Sequence, residues 1–166
     1  MASKKKSRPA KKQRPLKKVP SFAVDKNLLS VALGVLVVTF VVFYPSLDNA
    51  FVNWDDQLYV QENSLIADIS GEGIKNIIKE PVAGNHHPVT VFSLAVNYQM
   101  SGLEASSYHW TNLLFHLMNS LLVLFFVYKL FNKNLVIAGV ASFLFAVHPM
   151  HVESVAWISA RKDVLY

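Results

Sequence analysis

The chain has 166 residues, of which 52% are apolar and only 16% charged, against about 25% charged residues in an ordinary soluble domain. Residues 1–18 hold nine of the 16 Lys and Arg and none of the 11 Asp and Glu, so the remaining residues 19–166 carry seven bases against 11 acids, a net charge of −4. This partition excludes a conventional soluble enzyme and argues against a nucleic-acid partner, while the absence of Cys excludes disulfides, Cys-ligated zinc and thiol catalysis.

Residues 1–26 form the first predicted segment, a basic tail. The stretch KKKSRPAKKQRPLKK has no apolar periodicity and is followed closely by a third Pro at position 20, which favours disorder. Its charge favours the cytoplasmic side of a membrane and attraction to anionic lipids, worth about 1 kcal/mol per basic residue near the surface. The lipid bilayer is therefore the first predicted partner.

Three stretches have 21, 24 and 19 consecutive uncharged residues, and a helix needs roughly 20 residues to cross the core of a bilayer. We predict an all-α polytopic membrane protein, with the first span ended or kinked by Pro45 and the third ended by Pro149. The three predicted transmembrane helices are residues 27–47, 105–128 and 134–149.

The first span, residues 27–47, has a cleaved signal peptide as its alternative. It follows a positive segment, but it is longer than the usual apolar core of about 7–15 residues, and no A-x-A cleavage site follows it. We therefore interpret this segment as an uncleaved anchor.

The distribution of Lys and Arg near the span ends predicts the orientation. Residues 1–26 hold ten bases and the turn 129–133 holds two, whereas the loop 48–104 holds two bases against eight acids. The N-terminus and the turn are therefore predicted to be cytoplasmic. The outer loop 48–104 and the outer segment 150–166 then face either the lumen of the endoplasmic reticulum or the periplasm of a bacterium.

Two short surface helices are predicted within the outer loop 48–104. The first ends near Pro81, and the second begins at Pro88 and is too short to span a bilayer. Both are expected to lie at the membrane surface, where a lipid headgroup would be handled. The apolar face of the first helix consists of Ile74, Ile77 and Ile78, and that of the second of Val89, Phe92 and Val96.

Asp55 and Asp56 are the first candidate catalytic residues. They follow the first span by eight residues and lie between Trp54 and Tyr59. Paired carboxylates can supply a general base, because repulsion between them raises one pKa toward a useful value. The alternative is a solvated acidic turn that caps a helix beginning near Gln57.

Four histidines and a carboxylate form the candidate substrate pocket. Two of the histidines follow Gly84, and the others stand in the sequence HPMHVE after the third span. The pair in HPMHVE has an i, i+3 spacing that metal sites use, but Pro149 between them disfavours a regular helix, so hydrogen bonding to substrate is the preferred interpretation and no metal site is predicted. The pocket residues are His86, His87, His148, His151 and Glu153.

Arg161 and Lys162 are candidate ligands of a lipid-linked phosphate, because they are predicted on the outer face, where basic residues are disfavoured by topology. A local ion pair with Asp163 is the alternative. Within the second span, His116 and Asn119 are polar residues in an apolar setting, and we expect them to pack against other helices.

Four sequence blocks in this order resemble a known family: FVNWDDQLYV, NHHPVTVFSLAVNYQMSGL, YHWTNLLFHLMNSLL and HPMHVESVAWISARKD. They are similar to the N-terminal part of the transmembrane and tetratricopeptide-repeat-containing protein O-mannosyltransferases and their bacterial relatives. The resemblance covers about residues 28–166 and leaves the basic tail outside.

This resemblance implies a C-type glycosyltransferase that takes a sugar, mannose by expectation, from a polyprenyl phosphate and transfers it to Ser or Thr hydroxyls of an acceptor protein. It implies that Asp55 and Asp56 lie at the active site, with Asp55 as the preferred base. Arg161 and Lys162 would then offset charge on the departing phosphate. The resemblance leaves open whether a divalent cation takes part.

No 34-residue repeat is visible in the chain, and members of this family have more spans followed by repeats. We therefore expect a fragment, the N-terminal third or less of a larger enzyme that is inactive when separated from the rest. Two alternatives from other classes are a noncatalytic membrane scaffold and a small transporter subunit. The transporter is disfavoured because no charged residue lies inside a predicted span.

Overall fold

The computed structural model describes residues 26–166, and almost all of the predicted basic tail, residues 1–25, lies outside this part. Within the described residues the fold is all-helical, with one isolated β-bridge between Val82 and Asn85. Seven α-helices are present in this part of the chain, together with three shorter helical turns.

The first predicted span forms helix α1, Lys26–Phe43, which continues into a 3₁₀ turn, Tyr44–Asp48. Pro45 lies at the start of this turn. Because proline has no backbone N–H, the α-helical hydrogen bonding is interrupted there, and the chain continues as a tighter 3₁₀ turn. The combined segment of 23 residues is long and apolar enough to cross a bilayer. Only 28% of its most apolar window is buried inside the protein, so most of its apolar surface is left for lipid.

The outer loop contains more helix than its sequence patterns predict. A π-type turn and a 3₁₀ turn precede the two predicted helices, which are both present and are named α2 and α3. Ser70 caps α2, since its hydroxyl accepts a hydrogen bond from the backbone N–H of Gly73 at 3.2 Å. Gly102 ends α3 with φ +59°, as a turn in the left-handed region requires. The elements are the π turn Gln57–Gln61, the 3₁₀ turn Ser64–Ala67, α2 Gly71–Lys79 and α3 Pro88–Ser101.

Helix α3 has two different faces. Its buried face contains Val91 and Leu94, which pack with residues of the outer loop in one core cluster. The predicted apolar face is exposed instead: 54%, 41% and 39% of the respective surfaces of Val89, Phe92 and Val96 remain accessible. An exposed apolar face on a helix too short to span is the arrangement expected of a helix at a membrane surface.

The second predicted span, residues 105–128, forms helix α4, Ala105–Leu130. Its 26 residues extend about 39 Å at 1.5 Å per residue, enough to cross a bilayer, and 28% of its apolar window is buried. The structure thus contains two candidate membrane-spanning helices in residues 26–166.

The third predicted span is not confirmed, because helix α5, Leu135–Ala146, has only 12 residues and extends about 18 Å. The Asn134 side chain caps its start through the backbone N–H groups of Val136 and Ile137, each at 3.1 Å. The helix ends before Pro149, because a proline disfavours helical backbone at the residue that precedes it. The position of the loop 48–104 on the outer side likewise stays a prediction.

Helices α4 and α5 pack through small residues. Ala138, Gly139 and Ser142 are among the buried residues of α5, and the Ser142 hydroxyl donates to the Ser120 carbonyl of α4 at 2.8 Å. A Cβ at Gly139 would lie 3.3 Å from Val31 of α1, so the three helices approach closely there. Small residues permit such approach between helices in lipid, where hydrophobic driving force is lacking.

Two short helices complete the fold: α6, His151–Ala156, and α7, Arg161–Leu165. Both pack against the first turns of α4, where Val155 and Val164 join Leu113 in a core cluster. The other end of α4 packs against the start of α1, through Leu124 and Leu28. The final segment of the chain therefore lies at the same end of the helices as the outer loop.

Candidate active site

The two predicted catalytic carboxylates lie in different environments. Asp56 is fully buried and accepts three hydrogen bonds, from the backbone N–H of Val52 at 2.9 Å, from the backbone N–H of Ser159 at 2.9 Å, and from the Ser159 hydroxyl. One carboxylate oxygen faces the loop after α1 and the other faces the segment before α7. Asp56 therefore joins two parts of the chain that are 103 residues apart.

Asp55 is half-buried, and its carboxylate has no hydrogen-bond or ion-pair partner among residues 26–166. It is the residue immediately before the anchored Asp56 and the π turn Gln57–Gln61. Short π-helical turns are rare and often occur at functional sites. The sequence interpretation of a simple capping turn is not supported, because neither carboxylate caps the following helical turn through its side chain.

Residues 157–161 form the segment that holds Asp56 from the other side. The Asn112 side chain of α4 donates to the Trp157 carbonyl at 3.0 Å, and its amide oxygen accepts from Arg161 Nε at 2.7 Å. One amide therefore binds both ends of the segment. Ser159, which donates to Asp56, lies between these two attachment points.

The Arg161 guanidinium is fully buried and is surrounded by neutral acceptors. Besides Asn112, it donates to the Asn97 amide oxygen at 2.6 Å, to the Ser93 carbonyl at 3.1 Å and to the Tyr108 carbonyl at 3.0 Å, and it lies 5.6 Å from the centre of the Tyr108 ring. Burial lowers the pKa of Arg161 to about 9, which leaves it charged at neutral pH.

The phosphate-binding role of Arg161 stays a prediction. In the structure, this side chain donates its hydrogen bonds to protein acceptors. Its neighbour Lys162 is half-buried and lies in an open cleft. The alternative of a local ion pair with Asp163 is not seen, because the one ion pair among residues 26–166 joins Lys75 and Glu72.

Two buried polar residues of helix α4 were not identified from the sequence patterns. Asn112 and the histidine one turn earlier, His109, lie on the buried face of an otherwise apolar helix. His109 is 1% exposed, and neither of its ring nitrogens has a hydrogen-bond partner in the described part of the chain. Polar residues at i, i+3, i+7 and i+10 along α4 would have indicated this face: His109, Asn112, His116 and Asn119.

One cleft of about 680 Å³ brings three of the predicted site residues together. His86 and His87 come from the loop before α3, and Lys162 comes from α7. Asp163 and Tyr166 also line this cleft, with the Tyr166 ring 6.0 Å from that of His87. The cleft therefore carries one cation, Lys162, and one carboxylate, Asp163, beside two histidines.

A second cleft, of about 310 Å³, shares Asp163 and Tyr166 with the first. Five of its ten lining residues are apolar, and the others include His116, Asn119 and His151. The two clefts therefore adjoin at their shared residues. The apolar residues of the second cleft are Leu122, Val123, Phe145, Val164 and Leu165.

The remaining predicted pocket residues lie partly together. His151 contacts His116 and His148, with ring centres 5.2 Å and 6.2 Å apart, and His116 bonds through Nε2 to the Ala146 carbonyl at 2.9 Å. Glu153 is exposed. The expected packing role of His116 is thereby supported. No group of three or more His, Asp or Glu that could hold a metal ion occurs between residues 26 and 166.

A third cleft, of about 300 Å³, is lined by Val52, Trp54 and Trp157. Val52 and the 157–161 segment both connect to Asp56, so this aromatic cleft lies beside the carboxylate pair. Asp55 lines none of these three clefts. The carboxylates and the Lys162 cleft are thus separate features in this part of the protein.

Comparison with known proteins identifies relatives of one kind. Human protein O-mannosyl-transferase TMTC3 is 43% identical over 83 residues, which cover 49% of this chain and 9% of the relative. Mouse protein O-mannosyl-transferase TMTC1 is 36% identical over 81 residues, again 49% of this chain and 9% of the relative. Drosophila melanogaster protein O-mannosyl-transferase Tmtc1 is 29% identical over 150 residues, 84% of this chain and 17% of the relative.

The resemblance to this family is confirmed by these relatives. The chain spans about a tenth of the length of the first of them and 17% of the fly protein. No family model and no solved structure matches the chain.

Proposed function

We propose that this chain, as a relative of the TMTC protein O-mannosyl-transferases, is the N-terminal part of a membrane glycosyltransferase that modifies proteins. The observation that carries the proposal is the similarity to enzymes named for that activity over 49% to 84% of the chain. The two apolar helices fit integration in a membrane. The donor is proposed to be mannose linked to a polyprenyl phosphate, and the acceptor a Ser or Thr hydroxyl of a protein.

Asp55 is the proposed general base. Its carboxylate takes the proton of the acceptor hydroxyl while that oxygen forms a bond to the anomeric carbon of the sugar. The bond between the anomeric carbon and the phosphate oxygen breaks, and its electron pair leaves with the polyprenyl phosphate. The reaction inverts the configuration at the anomeric carbon, because it has a single displacement.

The structure supports Asp55 over Asp56 in this role. A general base must have a free oxygen within hydrogen-bonding reach of the substrate, and both oxygens of the buried Asp56 are already bonded to the protein. Asp55 is partly exposed and has a carboxylate without a partner in residues 26–166. Asp56 is then a structural member of the site.

The donor phosphate is proposed to bind at the cleft that contains Lys162. A cation there would neutralise charge on the departing phosphate, and His86 and His87 add hydrogen-bonding groups. The adjoining apolar groove beside Leu122 and Phe145 is suited to the first isoprene units of the lipid.

The proposed topology has three crossings. The 150–166 segment contacts the outer loop through Ser159 and Asp56, whereas α5 begins at the opposite end of α4. Helix α5 and residues 147–150 therefore run from the cytoplasmic turn to the outer side. Since α5 is short, we propose that the residues that follow it, 147–150, complete the crossing.

The test of the proposed function is Asp55→Asn in the complete protein encoded by the gene, assayed in membranes with radiolabelled polyprenyl-phosphate mannose and a Ser/Thr-containing acceptor. We expect transfer to fall by about 100-fold or more, within the usual contribution of a general base, at unchanged expression. Glu62→Gln is the matched control, since Glu62 is an exposed acid of the same loop, and should leave transfer intact. Full activity of Asp55→Asn would reject Asp55 as the base, whereas no transfer by the unchanged protein would favour a noncatalytic scaffold.

The phosphate site has its own test. Lys162→Gln should raise the donor KM about tenfold with a smaller change in kcat, because the lost interaction is made with the bound donor. An unchanged donor KM would remove Lys162 from the site.

A further inference from the structure

We propose that Arg161 is a positioning residue for Asp55, which acts by fixing the segment 157–161 against which the carboxylate pair is anchored. The proposal rests on the proposed function in one respect only, the role of Asp55 as base. It gives Arg161 a different task from that of the adjacent cation, Lys162.

The first step is the attachment of Arg161 to two helices. Its guanidinium bonds to Ser93 and Asn97 of α3 and to Tyr108 and Asn112 of α4. A planar guanidinium with its donors in a fixed fork holds several acceptors in one geometry. The side chain therefore fixes the start of α7 relative to both helices.

The second step is the attachment of the residues before Arg161. Asn112 donates to the Trp157 carbonyl while it accepts from Arg161. The segment is thus held at its first and last residues by a single side chain of α4. Because Ile158, Ser159 and Ala160 between them are also fully buried, the segment has little freedom to move.

The third step leads from this segment to the carboxylates. Ser159 donates twice to one oxygen of Asp56, and Val52 donates to the other. The position of Asp56 fixes the backbone of the preceding residue, Asp55. Loss of the Arg161 contacts would release the segment, then Asp56, and finally the geometry of Asp55.

The same contacts argue against direct phosphate binding by Arg161. Its side chain is 0% exposed, and a phosphate would have to displace protein acceptors from all three nitrogens. Lys162, by contrast, lines the open polar cleft. Neighbouring cations in the sequence RKD therefore have separate roles, one internal and one facing the cleft.

The kinetic experiment compares Arg161→Gln, Arg161→Lys and Lys162→Gln in the complete protein in membranes. For Arg161→Gln we expect kcat to fall about 10- to 100-fold with an unchanged donor KM, since a small misplacement of a catalytic group has an effect of this size. The kcat of Arg161→Lys should fall less than that of Arg161→Gln, because lysine keeps the positive charge although it lacks the planar fork of donors. Lys79→Gln, an exposed base of α2, is the control and should behave as wild type.

A second measurement reports on the segment itself. The chain has no Cys, so Ala160→Cys introduces a single thiol at a buried position of residues 157–161; any Cys elsewhere in the complete protein is first replaced by Ser. Its reaction with a maleimide should be slow in the parent protein and at least tenfold faster with Arg161→Gln. Lys162→Gln should leave the labelling rate unchanged.

Two results would overturn the proposal. The first is a rise in donor KM for Arg161→Gln with kcat and thiol labelling unchanged, as expected for a phosphate ligand; the second is no change in any readout. If Arg161→Gln does not accumulate in membranes, Ser159→Ala replaces it, and normal kcat with this variant would overturn the proposal. An inactive Asp55→Asn with a normal Arg161→Gln rejects only the positioning role, whereas an active Asp55→Asn rejects Asp55 as the base, and absence of transfer by the unchanged protein rejects the proposed function.

Discussion

Ser159 donates both its backbone N–H and its hydroxyl to one carboxylate oxygen of Asp56, a residue 103 positions earlier in the chain. The other oxygen of Asp56 accepts from Val52. This carboxylate therefore joins the loop after α1 to the segment 157–161.

We expect Asp56→Ala to destabilise the protein strongly. The change leaves the backbone N–H and hydroxyl of the buried Ser159 without an acceptor, and each buried unsatisfied group costs about 1–3 kcal/mol. The free energy of unfolding in detergent micelles should fall by about 3 kcal/mol. Asp55→Asn is the matched control and should change it by less than about 0.5 kcal/mol. Equal stability of both variants would contradict the structural role of Asp56.

The contact between α4 and α5 should not accept a larger residue at Ser142. Ser142 is fully buried and donates to the Ser120 carbonyl, so Ser142→Leu both overfills the contact and removes a hydrogen bond. We expect a loss of about 1–3 kcal/mol, typical of overpacking, measured as a lower midpoint of thermal unfolding. Leu144→Ala removes a side chain that is 63% exposed and should have a much smaller effect. Close agreement of the two midpoints would argue against this packing.

The proposed orientation can be tested with single cysteines, because the chain has none of its own. Met100→Cys, at a position 79% exposed on α3, and Lys129→Cys, in the last turn of α4, lie at opposite ends of the second span. In sealed vesicles of known orientation, a membrane-impermeant maleimide should label the first from the outer side. The second should react only after the vesicles are permeabilised. Labelling of both from one side would reject the crossing by α4.

His151 should respond to its neighbour His148. Burial, and then the charge of His148, hold the pKa of His151 below its usual value of 6.5. As the pH falls below about 6.5, the folded state therefore binds fewer protons than the unfolded state. The free energy of unfolding consequently falls with acidification. In His148→Gln the pKa of His151 should rise toward 6.5 but stay below it, because burial remains. Titration of the ring by NMR measures this shift, and an unchanged pKa would contradict the coupling.

Local sequence patterns predicted the helices well, since they depend on properties of short segments. The uncharged stretch 105–128 became Ala105–Leu130, and Pro88 indeed opens a helix. The helix in the third predicted span is shorter than predicted, because a run of uncharged residues shows where a helix could lie but not where its capping residues end it. In the structure Asn134 and the segment before Pro149 set that shorter length.

The sequence singles out the two candidate carboxylates but not their different environments. Asp55 and Asp56 are adjacent and chemically identical, and they differ through the contacts of Asp56 with Val52 and Ser159, of which Ser159 lies 103 residues away in the chain. The same holds for Arg161, because its burial results from Asn97 and Asn112 on two separate helices. These contacts join residues far apart in the chain, so no local pattern predicts them, although the polar spacing along α4 indicates its buried face.

The absence of a carboxylate among the Arg161 contacts has a consequence for the conditions under which the site persists. Ion pairs at a surface weaken as dissolved ions screen them, whereas buried interactions are screened far less. The acceptors of Arg161 are neutral carbonyl and amide oxygens, and the side chain is inaccessible to solvent. The attachment of Arg161 is therefore insensitive to ionic strength, and the outer end of the protein keeps its geometry when the salt concentration around it changes.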